Sequence, residues 1–323
     1  MDSRPTTIAH IRPMAMNRDL KIVADLIESS FALQKDVDGQ AFLKQMRQAA
    51  RVSNLFADAE FWPAPISMTP PGFVWDENGM ILGNVSIIPF NHHGQRVNLI
   101  ANVAVMPAYR RKGIARALTQ HAIAYLQKQQ QSNIWLQVNQ NNPGALDLYR
   151  GLGFLEQCCR STWHRAPDQK PLKMEIDPGN QVFRKRRRDE WKSQQKWLER
   201  IYPDEIIWHY PVWVADFSPE VIWNPERWGQ ALRLSHWTLQ NGDPPVGFIS
   251  WQRTDSFADT LWLAPDPNLE QGAVISGLLN YLPAQVGRSK PVAVDLPCGA
   301  CEAELTNANF SLFRSLVWMK LPG

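Results

Sequence analysis

Asn102-Val-Ala-Val-Met-Pro-Ala-Tyr-Arg-Arg-Lys-Gly-Ile-Ala-Arg-Ala-Leu118 decides how the rest of the chain is read. Val103, Ala104 and Val105 have the apolar run of a buried strand, and Pro107, which has no N–H to give a ladder, stops it. An amphipathic helix pattern follows over 113–131. The turn between them, Arg110-Arg111-Lys112-Gly113-Ile114-Ala115, has one glycine where the backbone comes close to a partner and a small residue two places on. A strand, a small-residue turn and a helix N-terminus aim several backbone N–H groups at one point. That geometry takes phosphate oxygens, and the helix dipole favours negative charge there. Arg110, Arg111, Lys112 and Arg116 surround the point with positive charge. The expected object is a pyrophosphate cradle.

Beyond the helix lie a β run, Ile134-Trp-Leu-Gln-Val138, and then Asn142-Pro-Gly-Ala-Leu-Asp-Leu-Tyr-Arg-Gly-Leu-Gly-Phe154. The order and spacing resemble the GNAT superfamily of acyl-CoA-dependent N-acetyltransferases. The residues that carry the resemblance are Val103, Val105, Pro107, Tyr109, Arg110, Gly113 and Ala115, then Asn142, Ala145, Leu148, Tyr149, Gly153 and Phe154. Two linked motifs at the right separation make it specific.

The resemblance implies an α/β fold, a central mixed sheet flanked by helices. It implies acetyl-CoA as co-substrate, with no metal, and an amine that attacks the thioester directly. The backbone of Val103, Ala104 and Val105 would pair with the pantetheine arm as an added strand does, and supply the oxyanion donor. The amides of Arg111, Lys112, Gly113, Ile114, Ala115 and Arg116 would hold the pyrophosphate, and Asn142 would bond to the arm. Tyr149 stands at the family's general-acid position. The base departs from the pattern: Gln137 occupies the place where some branches carry Glu, and neither it nor Asn102 is basic. A water chain, Asp36 or Asp38, or an acceptor of low amine pKa such as an α-amino group would meet that need.

Taken in order, residues 8–12 read as a short strand, followed by a helix to about Phe31 with Leu20, Val23, Ala24, Ile27 and Phe31 on its apolar face. A second helix spans about 40–52, after which Pro63, Pro65, Pro70 and Pro71 mark a link. A hairpin turns at Asp76-Glu-Asn-Gly79. The expected order is β-α-α-β-β-β-α-β-α-β. A polar, proline-rich stretch then suggests domains at 1–166 and 183–323 joined by a linker over 167–182. The later half repeats the first faintly, with strands near 233–242, 246–251, 260–265, 292–296 and 315–321 and a helix over 268–286. Its turn, Asp266-Pro-Asn-Leu-Glu-Gln-Gly272, has no Arg or Lys and puts Glu270 where a pyrophosphate needs a cation. We expect two GNAT-like domains in tandem, the second degenerate and unable to bind CoA.

The 323 residues suffice for two domains, and 44% apolar with 20% charged residues is ordinary globular composition. A net charge of +3 does not by itself call for nucleic acid. The pentamer Arg184-Lys-Arg-Arg-Arg188 abuts a helix and reads as a solvated strand edge or a partner for acidic groups of the other domain. No long apolar run or signal-like N-terminus appears, so no membrane partner is expected and the location is read as cytoplasmic. Cys158-Cys159 and Cys298-Gly-Ala-Cys301 lack nearby histidines and fall in different expected domains, so they read as free, partly buried thiols. Eleven of the 14 tryptophans lie after residue 162, where most serve packing. The expected acceptor is a small-molecule amine, with a protein N-terminus or lysine, or an acyl-CoA sensor without catalysis, as alternatives. Oligomeric state and acyl length leave no trace in the sequence.

Overall fold

The computed structural model describes residues 10–31, 37–55, 72–169, 181–210, 212–223 and 227–323. The chain divides into two compact units: 1–157 with 317–323, and 158–316.

The first unit runs β1 (Ile11–Pro13), α1 (Met16–Ser30), α2 (Val37–Leu55), β2 (Gly72–Glu77), β3 (Met80–His92), β4 (Gln95–Val105), α3 (Ile114–Lys128), β5 (Ile134–Asn139), α4 (Pro143–Arg150) and the start of β6 (Leu155–Arg165). This is the element order expected from sequence. The sheet order is β1-β2-β3-β4-β5, antiparallel up to β4 and parallel between β4 and β5. Helix α1 forms because Leu20, Val23, Ala24 and Ile27 recur at helical spacing, and all four are buried. The Asp19 carboxylate accepts from the Ala15 N–H at 2.7 Å and so caps the first turn. Phe31 does not join that apolar face: it is the C-cap residue and is exposed. Leu43 and Met46 of α2 close this core against Val74, Ile81 and Ala104. The proline-rich link at 63–71 lies outside the described residues.

Helix α3 buries Ile114, Leu118, Ala122, Ile123 and Leu126. Each large aliphatic side chain so buried is worth roughly 1.5–3 kcal/mol. Gly83 of β3 sets the approach distance, because a Cβ there would stand 2.9 Å from both Ile114 Cγ2 and Leu118 Cδ1.

The second unit contains most of β6, then β7 (Gln181–Lys185), α5 (Trp191–Ile201), α6 (Asp204–Ile207), α7 (Trp228–Ala231), β8 (Leu234–Asn241), β9 (Pro245–Gln252), β10 (Asp259–Pro265), α8 (Gln271–Asn280), β11 (Val292–Pro297), α9 (Glu302–Asn307) and the start of β12 (Ser311–Leu321). Its sheet order is β12-β6-β11-β10-β9-β8-β7. Arg184 and Lys185 sit on β7, which among the described residues pairs with β8 alone, so the basic pentamer begins on a strand edge. It is not solvated throughout, because Arg184 pairs with the buried Glu190 and Arg186 donates to Gln194 Oε1 and to the Phe217 carbonyl.

The observed division departs from the expected boundaries at both ends. Strand β6 continues past 157 to pair antiparallel with β11, so the division falls before the polar stretch, of which residues 170–180 lie outside the described residues. The closing residues 317–323 belong to the first unit. There Trp318 meets Trp135 edge-to-face at 6.5 Å, and Lys320 lies over the Trp135 ring. Composition marks loops, whereas strand pairing sets which residues pack together.

The cysteine reading is corrected in part. Cys159 and Cys298 form a disulfide, while Cys158 and Cys301 are free and half-buried. Arg160 faces Pro297 across the β6–β11 ladder, and the Cys298 N–H donates to Cys159 O at 3.0 Å. Antiparallel pairing therefore places the two sulfurs side by side within one unit. Among the described residues no helix is long and apolar enough to cross a membrane.

Candidate functional site

Strands β4 and β5 pair in parallel through only three positions, Asn98↔Ile134, Leu99↔Trp135 and Ile100↔Leu136. Past them no further pairs form, and a notch begins. Val103, Ala104 and Val105 lie on the β4 side of it, with Ala104 and Val105 still paired to β3 through Asn84 and Gly83. The N–H and C=O of a strand residue point to the same flank and successive residues alternate flanks. With β3 on one side, this stretch therefore turns the amide groups of alternate residues to an edge open to a ligand's amides.

At the mouth of the notch β4 carries a bulge. Asn84 faces Ala104 and Ser86 faces Ala101, so Val85 alone stands opposite both Asn102 and Val103. Asn102 has φ +52°, a region asparagine enters more readily than other non-glycine residues. Three polar side chains hold this shape. Asn84 Nδ2 donates to the Asn102 carbonyl at 3.0 Å, and the amides of Asn84 and Asn102 each reach Ser86 Oγ at 3.4 Å. Asn84 and Ser86 are buried in β3, and the motif search missed both. The sequence signal was present in Gly83-Asn-Val-Ser86, polar residues on the inward face of an otherwise apolar strand.

The basic turn holds together as expected, but its cations divide into two kinds. Arg110 Nε donates to the Val105 carbonyl at 3.1 Å, and Arg116 Nη1 donates to Gly151 O at 3.1 Å. These two side chains tie the turn to β4 and helix α3 to the end of α4. Arg111 and Lys112 are exposed, with Lys112 over the Tyr109 ring at 4.7 Å. Gly113 is the N-cap residue of α3 at φ +82°, and no side chain caps the helix there. Among the described residues, the N–H groups of 111–116 meet no acceptor; the first α3 bond is Ala117 N to Gly113 O. Open donors and the helix dipole converge on one exposed point, the arrangement that receives an anion.

Asn142 is the N-cap of α4, its Oδ1 accepting from the Ala145 N–H at 3.1 Å. Its expected bond to a ligand therefore falls to the remaining Nδ2. Tyr149 is buried on α4, edge-to-face with Phe154 at 6.2 Å. Burial pushes its phenol up to about 12, so at neutral pH it holds its proton. Gln137, one residue past the last β4–β5 pair, has a buried Nε2 with no partner among the described residues. Of the expected base candidates, Asp36 and the Asp38 side chain lie outside the described residues.

Residues 43–154 match the Acetyltransferase (GNAT) family. This stretch is a GNAT acetyltransferase domain. Among curated relatives, the GNAT domain is 40% identical over 67 residues to the [ribosomal protein bS18]-alanine N-acetyltransferase of Escherichia coli K12, a match covering 21% of this chain and 45% of that relative. The chain thus spans a little under half the length of that relative. Over the whole chain the fold is like that of a GCN5-related N-acetyltransferase from Sphaerobacter thermophilus (TM-score 0.59, 13% identity, 99% of this chain and 98% of that one). It is also like a tandem GNAT protein from the clavulanic acid biosynthesis pathway (TM-score 0.51, 15% identity, 97% and 98%). The tandem GNAT architecture expected from sequence is the one observed.

The second unit repeats the GNAT geometry and closes it. Strands β10 and β11 again pair in parallel at three positions, Asp259↔Val292 through Leu261↔Val294. The Glu270 carboxylate then caps α8, accepting from the Gly272 N–H at 2.9 Å and from Ala273 N–H. The chain's own anion fills the place that is open at α3. Just past the last β11 pair, Asp295 is held by Arg160 at 2.6 Å and by the Tyr210 hydroxyl at 2.8 Å. Trp262 of β10 packs against Tyr202 and Tyr210. Side chains occupy what is a notch in the first unit.

Proposed function

We propose that the GNAT domain transfers an acetyl group from acetyl-CoA to a primary amine by direct attack, and that the acceptor is a small molecule with an α-amino-type group. One observation carries this reading: the α3 N-terminus and the β4–β5 notch are both open in the first unit, while own-chain side chains close their counterparts in the second. The pyrophosphate would meet the amides of 111–116, with Arg111 and Lys112 adding charge. The pantetheine arm would lie along Val103–Val105, and Asn142 Nδ2 would donate to it.

In the transfer, the amine nitrogen forms a bond to the thioester carbon and the oxygen takes negative charge. A backbone N–H at the bulge would stabilise that oxygen, a contribution of about 3–4 kcal/mol for one such donor. The carbonyl re-forms as the C–S bond breaks, and the Tyr149 hydroxyl would hydrogen-bond to the departing sulfur and supply its proton. The amine must shed a proton, and Gln137 cannot take it. An α-amino group with a pKa near 7.7–8 reaches the neutral, nucleophilic form at a cost of only about 1 kcal/mol near pH 7, whereas a lysine amine near 10.4 needs roughly 4–5 kcal/mol to deprotonate. The proton the nitrogen still loses after attack would return through water to the Tyr149 oxygen, which has given its own to the sulfur. The absence of a carboxylate at 137 thus favours an acceptor that arrives already neutral. The E. coli relative, whose name assigns it an alanine of a ribosomal protein, favours a second reading in which the α-amino group belongs to a protein N-terminus.

Calorimetric titration of acetyl-CoA into the wild-type chain and Gly113→Glu tests the cradle, and thiol release against panels of free amino compounds and N-terminal peptides tests the acceptor. Binding lost in the variant, with turnover on α-amino compounds that falls in Tyr149→Phe, supports the proposal. Turnover restricted to peptides selects the second reading. No binding to the wild type refutes both.

A further inference from the structure

Arg165 ends β6 in the second unit and is 3% exposed. Its guanidinium lies over the Phe310 ring at 5.0 Å. Among the described residues its Nε and Nη1 have no hydrogen-bond partner. Burial pushes the pKa of this charge down, and among the described residues no carboxylate pairs with it. The other deeply buried arginine of this unit, Arg160, has Asp295 and two backbone carbonyls. A buried guanidinium without such partners is strongly unfavourable, because its lost hydration is not replaced.

Beside Arg165 opens a cavity of about 120 Å³, lined also by Asp168, Asn280, Pro283, Gly287 and Arg288. A cavity of this size holds a few waters or one small oxyanion. Gly287, at φ +73°, keeps the space clear, since a Cβ there would stand 3.5 Å from Arg165 Nη2. The Gly287 carbonyl accepts from the Asp168 N–H at 2.9 Å, fixing one wall. Arg288 and Asp168 are both exposed, so the formal charges of this pair offset one another and the buried fork provides the remaining positive charge.

We propose that Arg165 is the receptor of a small-oxyanion site, in which a carboxylate or phosphate group seats on the guanidinium inside this cavity. The guanidinium suits such a guest because its planar donors match oxygens held in pairs and it remains charged at any working pH. The site uses no residue of the acyl-transfer machinery and stands whether or not that reading holds.

Thermal unfolding of the full chain, in Tris buffer free of phosphate, sulfate and carboxylates, tests it with inorganic phosphate and with acetate as separate probes. At about five times its Kd, a bound anion is expected to raise the wild-type midpoint by about 2–4 °C along a saturating curve. Arg165→Met is expected to lose the response and, without anion, to unfold no earlier than wild type. Arg165→Lys retains a charge without the fork and is expected to respond more weakly. A response to phosphate alone identifies a tetrahedral guest, and one to acetate alone a carboxylate; either supports the site. No saturable rise with either probe, or an equal rise in Arg165→Met, overturns it. Should the Met variant fail to fold, an Arg165→Lys response equal to wild type for both anions overturns it instead.

Discussion

The side-chain amide of Asn84 donates to the backbone carbonyl of Asn102 at 3.0 Å, and that single bond anchors the one non-glycine residue of β4 that has positive φ. The bulge sets the direction of the N–H groups at the mouth of the β4–β5 notch, so Asn84 positions them without itself facing the ligand's path. Asn84→Ala leaves the Asn102 carbonyl without this donor, which costs about 1–3 kcal/mol. The lower end is expected, because the substitution also removes Asn84 Oδ1, itself buried without a partner among the described residues. Turnover is expected to fall about tenfold or more, with acetyl-CoA affinity changing less than threefold. Steady-state kinetics beside calorimetric binding checks this; an affinity loss equal to the turnover loss would mean that Asn84 supports the cradle and not the bulge.

The two kinds of cation at the basic turn separate binding from stability. Arg110 is tied to the Val105 carbonyl, whereas Arg111 and Lys112 face solvent. Replacing Arg111 and Lys112 together by Gln is expected to weaken acetyl-CoA binding at low salt and to leave stability within about 0.5 kcal/mol. Arg110→Gln is expected to lower stability by about 1 kcal/mol, through the lost charge-assisted bond. Denaturant midpoints and titrations at two ionic strengths distinguish the pattern from its reverse.

The motif stretch made the first unit legible because its chemistry is local. Pro107 stops the strand, Gly113 takes the left-handed backbone, and α3 follows from the spacing of Ile114, Leu118 and Ala122. Its partners across space were not legible. Nothing near Val85 announces that one residue will oppose two, and nothing near Arg116 announces Gly151. Asn142 was read as a ligand contact from its place in the motif, but the structure uses its Oδ1 on the backbone three residues ahead. The disulfide was missed for the same reason. Cys159 and Cys298 are 139 residues apart, and only the β6–β11 register, which crosses the expected domain boundary, brings them together.

That disulfide gives a direct test of the pairing. A link closing a loop of this length is expected to contribute up to about 5 kcal/mol, chiefly by restricting the unfolded chain. Cys298→Ser, or wild type in a thiol reductant, is expected to lose that amount in urea unfolding. Cys301→Ser, altering a free thiol, is expected to leave the midpoint nearly unchanged. Equal behaviour of the two variants would contradict the Cys159–Cys298 pairing.

His236 makes the second unit sensitive to acid. Its Nδ1 lies 2.7 Å from Ser250 Oγ, and burial, with the charges of Arg186 and Lys185, lowers its pKa to about 3. The ring therefore stays neutral in the folded chain while the unfolded chain protonates near pH 6.5. Protons bind the unfolded state preferentially over the window from about 6.5 down to 3, so stability falls as pH falls, by up to about 1.4 kcal/mol for each unit. Between pH 6.5 and 5 the expected loss is about 1–2 kcal/mol. His236→Gln retains a polar partner for Ser250 and has no proton to gain. Its urea midpoint is expected to change less between those two pH values than that of wild type, and an identical pH slope would remove His236 as the cause.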